Sequence, residues 1–227
     1  MSIGTPLALG NTNAAGGVAT TLVLTTTAAA PAGGLIVVVC SGSQGSNINS
    51  CADSAGNTYT ANGLGATFSN GVGKSHLFWS FNTITLPSGG TITVTYGAVT
   101  PVKNMAAVSI TGCAAVDLKG VGALGTSTAA TIATAAPGWP NEIVFGLTQV
   151  SAGSADGFTE AAGFTSLASS LNSDGLHWAF QITTANAAVT YAPTLGTSRT
   201  WGVNTLTFSG AVASPFSLAP RFSYLEF

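Results

Sequence analysis

Hydrophobic residues alternate with threonine, serine and asparagine along most of this chain, and glycine-rich or proline-containing segments separate the apolar runs. Short alternating runs rich in Val, Ile, Thr and aromatic residues are typical of β-strands with one buried face. In one such run Ile92, Val94 and Tyr96 point to one face and the intervening threonines to the other. Strands are predicted at 20–26, 35–41, 76–81, 91–96, 106–111, 142–149, 176–183, 188–191 and 202–209.

Nowhere does the pattern keep the 3.6-residue period of a long amphipathic helix, and the best short helical candidate is 163–171. The 29 glycines suit many turns and few helices. The sequence therefore predicts an all-β fold, an antiparallel β-sandwich of jelly-roll or Ig-like type with little or no helix.

The apolar runs recur in the same order in the two halves of the chain. Leu35-Ile-Val-Val and Glu142-Ile-Val-Phe each follow an Ala-Ala-Pro segment, and His76-Leu-Phe-Trp-Ser-Phe is matched by His177-Trp-Ala-Phe-Gln-Ile. Three further pairs match in order, namely 56–60 with 156–159, 94–96 with 189–191, and 107–112 with 205–210. The order indicates an internal duplication.

A repeat of about five strands has an apolar face that it cannot bury alone, so we expect the two repeats to pack face to face. The predicted division is an N-terminal arm (1–16), β repeat one (17–112), a connector (113–123), β repeat two (124–210) and a C-terminal aromatic arm (211–227).

Charged residues make up only 5% of the chain, with 5 Lys and Arg against 7 Asp and Glu. No basic patch is available to neutralise phosphates, so we expect no nucleic-acid partner. The mean hydropathy is +0.46, but the longest strongly apolar run, 35–40, is far shorter than the ~20 residues that a spanning helix needs. We therefore expect no membrane partner, and the first residues lack the features of a secretory signal, which predicts synthesis in the cytoplasm.

Catalytic and metal-binding motifs are missing from the sequence. His76 and His177 occupy matching places in aromatic-rich strands, which favours packing over catalysis. The segment Asp53-Ser-Ala-Gly-Asn-Thr-Tyr59 has one carboxylate and is predicted to form a turn rather than a calcium loop. We expect no enzyme activity and no cofactor. Cys40, Cys51 and Cys113 lack zinc-site spacing, and the sequence leaves their redox state open, including a Cys40–Cys51 bridge.

Two parts of the sequence are candidates for binding. The segment after Gly210 contains two prolines, which exclude a central strand, and many large apolar residues. The candidate interface residues are Pro215, Phe216, Leu218, Phe222, Tyr224, Leu225 and Phe227. The alternative is that this arm folds back on its own sandwich. Trp139, between two prolines, and Tyr59 are candidate glycan contacts.

The motifs Asp53-Ser-Ala-Gly-Asn-Thr-Tyr, Leu86-Pro-Ser-Gly-Gly-Thr-Ile-Thr-Val-Thr-Tyr and Val108-Ser-Ile-Thr-Gly resemble a pattern common in β-sandwich proteins of tailed bacteriophages. The resemblance covers the first half, and the second half follows through the duplication. It implies a virion structural protein that packs against copies of itself and a major capsid or tail protein. A capsid decoration or cement subunit is the leading expectation, and a tail or fibre module or a carbohydrate-binding adhesin domain is the alternative.

Overall fold

The structure is a computed structural model that describes residues 2–43, 47–61, 73–81, 84–118, 122–134, 136–151, 156–167, 169–171 and 174–210. Its strands are β1 (Leu7–Ala15), β2 (Thr21–Thr25), β3 (Leu35–Ser43), β4 (Ile48–Asp53), β5 (Thr60–Ala61), β6 (Gly73–Phe81), β7 (Thr91–Tyr96), β8 (Val102–Ile110), β9 (Cys113–Val116), β10 (Gly122–Ala129), β11 (Ile132–Ala133), β12 (Glu142–Val150), β13 (Phe158–Thr159), β14 (Thr165–Ser166), β15 (Ser170–Leu171), β16 (Gly175–Thr183), β17 (Thr190–Tyr191) and β18 (Thr194–Gly210).

Two large antiparallel sheets have the same strand order. The first large sheet runs β1-β8-β3-β6-β5, and the second follows the path β10-β18-β12-β16-β14, with β9 and β13 added on β18 and β15 on β16. A smaller sheet accompanies each one, β2-β7-β4 in the first half and β11-β17 in the second. The strands β1, β8, β3 and β6 thus have the same neighbours as β10, β18, β12 and β16.

The two large sheets pack face to face around a central core. It combines Val37, Val39 and Trp79 of the first large sheet with Phe145 and Trp178 of the second, all buried. The opposite face of the first large sheet packs on β2-β7-β4, and that of the second packs on β11-β17 and the segments beside it. The described chain is therefore a stack of four β-layers with three apolar cores.

The all-β antiparallel sandwich predicted from the sequence is confirmed, and each of the nine predicted strands overlaps a strand of the structure. In β7 the buried positions Ile92, Val94 and Tyr96 alternate with half-exposed threonines, as predicted. The residues that the structure describes contain no helix, so none of them forms a helix that could span a membrane. The helical candidate 163–171 is wrong, since this segment contains β14 and β15.

The observed strand pairing aligns the two repeats one residue differently from one of the matches predicted from the sequence. The two histidines pair with Cys40 on β3 and with Thr148 on β12. In this alignment Leu35 corresponds to Ile143, whereas the sequence match paired it with Glu142. Leu35 and Ile143 both face the central core. A slip of one residue places a side chain on the opposite face of a sheet, so Glu142 points to the outer face.

Short strands beside the large sheets also differ from the predicted matches. β5 pairs with β6, and β14 takes the equivalent place on β16. The segment 156–159, which the sequence matched to 56–60, instead contributes β13, which pairs with β18. Low-complexity Gly and Thr segments match one another easily, and long-range pairing decides which of them becomes the edge.

The predicted arm and connector contain strands. Most of 1–16 is β1, which pairs with β8 on both sides of a bulge between Ala8 and Gly10, so this part is an edge strand rather than an arm. Within 113–123, β9 pairs with the end of β18 and β10 begins at Gly122. Ala and Gly are frequent in both segments, so they show little of the alternation of large apolar residues by which strands are recognised.

Candidate functional site

Residues near the start of the described chain, its last described residue Gly210 and several loops meet at one end of the central core, which we call the Gly210 end. Gly210 pairs with Cys113 on β9, and its N–H donates to the carbonyl oxygen of Asn141 at 3.0 Å. Ile3 packs beside Gly210 and belongs to the central core. The described chain ends here, so the segment 211–227 continues from this end of the stack.

The predicted interface residues lie outside the described residues. They are Pro215, Phe216, Leu218, Phe222, Tyr224, Leu225 and Phe227. Their interface role stays a prediction, and the structure fixes only the point from which their segment continues.

Large apolar side chains are exposed at the Gly210 end. Phe81 is the last residue of β6 in the first large sheet, and Ile182 lies near the end of β16 in the second. Each is 38% exposed, although Phe81 still contacts Phe208 edge-on at 6.1 Å. Trp139, on the loop before β12, is 51% exposed. Such exposed rings provide apolar area for a partner.

The Trp139 loop, residues 136–141, is held by backbone bonds to two carboxylates. The Gly138 N–H donates to Asp117 Oδ2 at 2.7 Å, and the Trp139 N–H donates to Glu142 Oε1 at 3.1 Å. Asn141 has a φ of 65°, a left-handed conformation that Asn tolerates better than most residues. The loop therefore presents the Trp139 ring from a fixed backbone.

The two carboxylates below this loop interact with each other. Glu142 is fully buried, and its carboxyl lies within hydrogen-bonding reach of that of Asp117. Burial, together with the negative Asp117 nearby, raises the pKa of Glu142 to about 7. A proton on Glu142 removes the repulsion between the two carboxyl groups. Sequence reasoning missed this pair because its members are distant in sequence and meet only when β9 pairs with β18.

Tyr59, the second candidate glycan contact, belongs to a structural turn. Its hydroxyl donates to Asp53 Oδ2 at 3.0 Å, and its ring packs against the core between the first large sheet and β2-β7-β4. Asp53 Oδ1 also accepts the N–H of Ala55 and of Asn57, which confirms the predicted Asp-capped turn. Tyr59 is thus half-buried in the first half, and no described contact brings it together with Trp139 of the second.

The histidines and cysteines are packed inside the layers. His76 stacks on Phe78, and His177 stacks on Phe158 with ring centroids 3.9 Å apart. Burial lowers the pKa of His177 to about 4, so it is neutral at physiological pH. All three cysteines are free, and burial raises the pKa of Cys113 to about 12. The described residues include no group of three or more His, Cys, Asp or Glu that could hold a metal ion.

Charge is scarce on the described surface as well. Arg199 and Asp156 form one ion pair at 2.6 Å, and Lys103 is buried with its Nζ donating to the carbonyls of Ala19 and Thr100. Few charges remain to keep copies of the molecule apart. No protein-family model and no curated protein matches the chain.

Proposed function

We propose that this chain is a structural subunit of a phage virion and acts by packing against neighbouring subunits. The observation that carries the proposal is the Gly210 end, where Phe81, Trp139 and Ile182 are exposed beside the point from which 211–227 continues. That segment contains six large apolar or aromatic residues, Phe216, Leu218, Phe222, Tyr224, Leu225 and Phe227. An apolar surface next to the start of an apolar segment, in a nearly uncharged molecule, favours burial between subunits.

Within the virion, the finer role we propose is a capsid decoration or cement subunit. A four-layer stack with three cores suits a rigid block fixed on a larger lattice, and the chain lacks the coiled-coil or triple-helical repeats of a long fibre. Its partners are then copies of itself and the major capsid protein. A tail protein is the partner if the subunit belongs to a tail or fibre module.

Replacement of two anchors in the C-terminal segment tests the proposal. In the full chain, Phe222→Ala combined with Leu225→Ala removes two large apolar groups, and hot-spot truncations each cost about 2 kcal/mol or more. We expect self-association or binding to purified capsids, followed by sedimentation velocity, to weaken more than tenfold. The matched control, Ser217→Ala with Ser223→Ala in the same segment, keeps the association unchanged.

A monomer at every concentration that also fails to bind capsids would contradict this function.

The second candidate is a carbohydrate-binding module, favoured by the exposed Trp139 ring on a loop that Asp117 and Glu142 hold in place. A glycan-array signal that Trp139→Ala abolishes, in such a monomer, would replace the assembly proposal with this one.

A further inference from the structure

The two large sheets have four outer edges, and three of them are guarded against pairing with another chain. β5 and β14 contain only two residues each. β1 is interrupted by a bulge between Ala8 and Gly10, and it lies beside β2 and β15. Short edge strands, bulges and covering segments are the common protections of a sheet edge.

The remaining edge, β10, has none of these protections from Gly122 to Ser127, and its register shift lies near its end, between Ser127 and Ala129. It is eight residues long, and Gly122 to Ser127 pair with β18 in an unbroken register. Its sequence, Gly-Ala-Leu-Gly-Thr-Ser-Thr-Ala, contains no charged residue and no proline. β18 is its only strand partner among the described residues, so backbone N–H and C=O groups on its other side face outward.

The side chains of β10 also fit an added strand. Leu124 is 54% exposed, and the exposed Thr126 lies on the same face of β10. The other face of β10 packs against the protein. Gly125 lies against the Trp201 ring, and Ser127 Oγ accepts the Trp201 indole N–H at 3.0 Å. From Gly122 to Ser127, β10 is therefore a regularly paired, anchored edge that presents an apolar side chain and hydroxyl groups.

We propose that β10 pairs antiparallel with β10 of a second copy, so that the second large sheet continues across a two-fold axis into the partner molecule. A second copy fits because the edge is uncharged and self-complementary. In an antiparallel pair, residues opposite each other lie on the same face. Registers centred on Leu124 or Gly125 then place Leu124 against Leu124 or Thr126 of the partner and remove it from water.

One strand per copy buries less than the roughly 1,200–2,000 Å² of a stable interface, so this contact is weak by itself. The contact contributes more to association where copies are already held close together, as they are in an assembly, because their effective concentration is high. The inference deepens the proposed function by naming a second contact between copies, and in that sense it rests on it. The pairing needs no residue of 211–227, so the two proposals can fail separately.

The full chain with Thr126→Lys tests the pairing. A lysine at this position puts a charged side chain on the edge of each copy, which is a common protection against edge pairing. In the isolated molecule, Thr126 only shares a 3.2 Å hydroxyl contact with Thr200. We expect the self-association constant from sedimentation equilibrium to fall at least tenfold at low salt, with the melting temperature nearly unchanged. The matched control is Thr165→Lys, an exposed threonine on the short edge strand β14, and it leaves association unchanged.

A second measurement uses the unchanged chain and needs no variant to fold. Hydrogen exchange at low and high protein concentration is expected to show added protection of the β10 amides at high concentration. The pairing is overturned if protection there is independent of concentration, or if Thr126→Lys associates like the unchanged chain. If Thr126→Lys weakens association and the Phe222 and Leu225 variant does not, β10 pairing stands and the C-terminal contact is wrong.

Discussion

Glu142 is a carboxylic acid whose surroundings favour its protonated form. It is buried on the outer face of the second large sheet, accepts the Trp139 N–H, and faces the Asp117 carboxyl. Its pKa of about 7, raised by burial and by Asp117, means that the folded state holds a proton that the unfolded chain releases at lower pH. The Trp139 loop is thus attached to a group that titrates near neutrality.

Protein stability is therefore expected to depend on pH through Glu142. The raised pKa stabilises the fold fully below the ordinary carboxyl pKa near 4.5, and this contribution is lost as the pH rises through about 7. Glu142→Gln keeps an oxygen acceptor for Trp139 and removes the ionisation. We expect its free energy of unfolding, measured by urea titration from pH 4.5 to 8.5, to fall less with rising pH than that of the unchanged chain.

Asp117→Asn supplies the companion test, because it removes the like charge but leaves Glu142 ionisable. The pH dependence should then persist in weaker form and shift to lower pH. Equal pH dependence in the unchanged chain and in Glu142→Gln would show that Glu142 does not have a raised pKa in the folded protein.

At the scale of single strands, the periodicity of large apolar residues determined what could be predicted. β3, β7, β12 and β16 contain Val, Ile, Leu and aromatic residues in recognisable runs, and all were predicted. β10 was missed because Ala, Gly, Ser and Thr carry little apolar pattern. One signal was present, since Ala123-Leu-Gly-Thr-Ser-Thr-Ala resembles Ala8-Leu-Gly-Asn-Thr-Asn-Ala of β1, the corresponding edge.

The parts of the candidate site that escaped prediction depend on contacts between distant segments. The exposure of Trp139 was anticipated from the prolines beside it. Its support by Asp117 and Glu142 requires the β9–β18 pairing, which no local pattern indicates. The sequence suggested that Tyr59 is an exposed loop aromatic. In the structure its hydroxyl donates to Asp53 and its ring packs against the neighbouring core.

β18 connects the two halves of the molecule through Phe208. Its ring lies 6.1 Å from those of Trp79 and Phe81 in the first half and from that of Phe145 in the second. Phe208→Ala is expected to cost about 3–5 kcal/mol because it leaves a cavity in the central core. Native-state hydrogen exchange should show lost protection in β3 and β6 as well as in β12 and β16.

Phe158→Ala is the matched control, since Phe158 stacks on His177 outside the central core. Its effect should remain within the second half. Loss of protection confined to the second half in Phe208→Ala would show that the two large sheets do not unfold as one unit.

At the scale of the whole molecule, a well-packed interior is combined with a surface of low charge. Three apolar cores hold four layers, while the described surface has little charge, an exposed edge at β10 and exposed rings at the Gly210 end. A free protein with these surfaces is prone to associate, whereas a subunit of an ordered particle uses them as contacts. This combination is why we place the chain in an assembly.

The most direct test of that placement is the composition of purified particles. Virions from a culture that produces the chain are banded on a density gradient, and the chain is quantified by mass spectrometry against the major capsid and tail proteins. We predict that it bands with the particles in a molar ratio that is constant between preparations. A chain that stays in the soluble fraction, or whose ratio varies from one preparation to the next, would contradict a structural role in the virion.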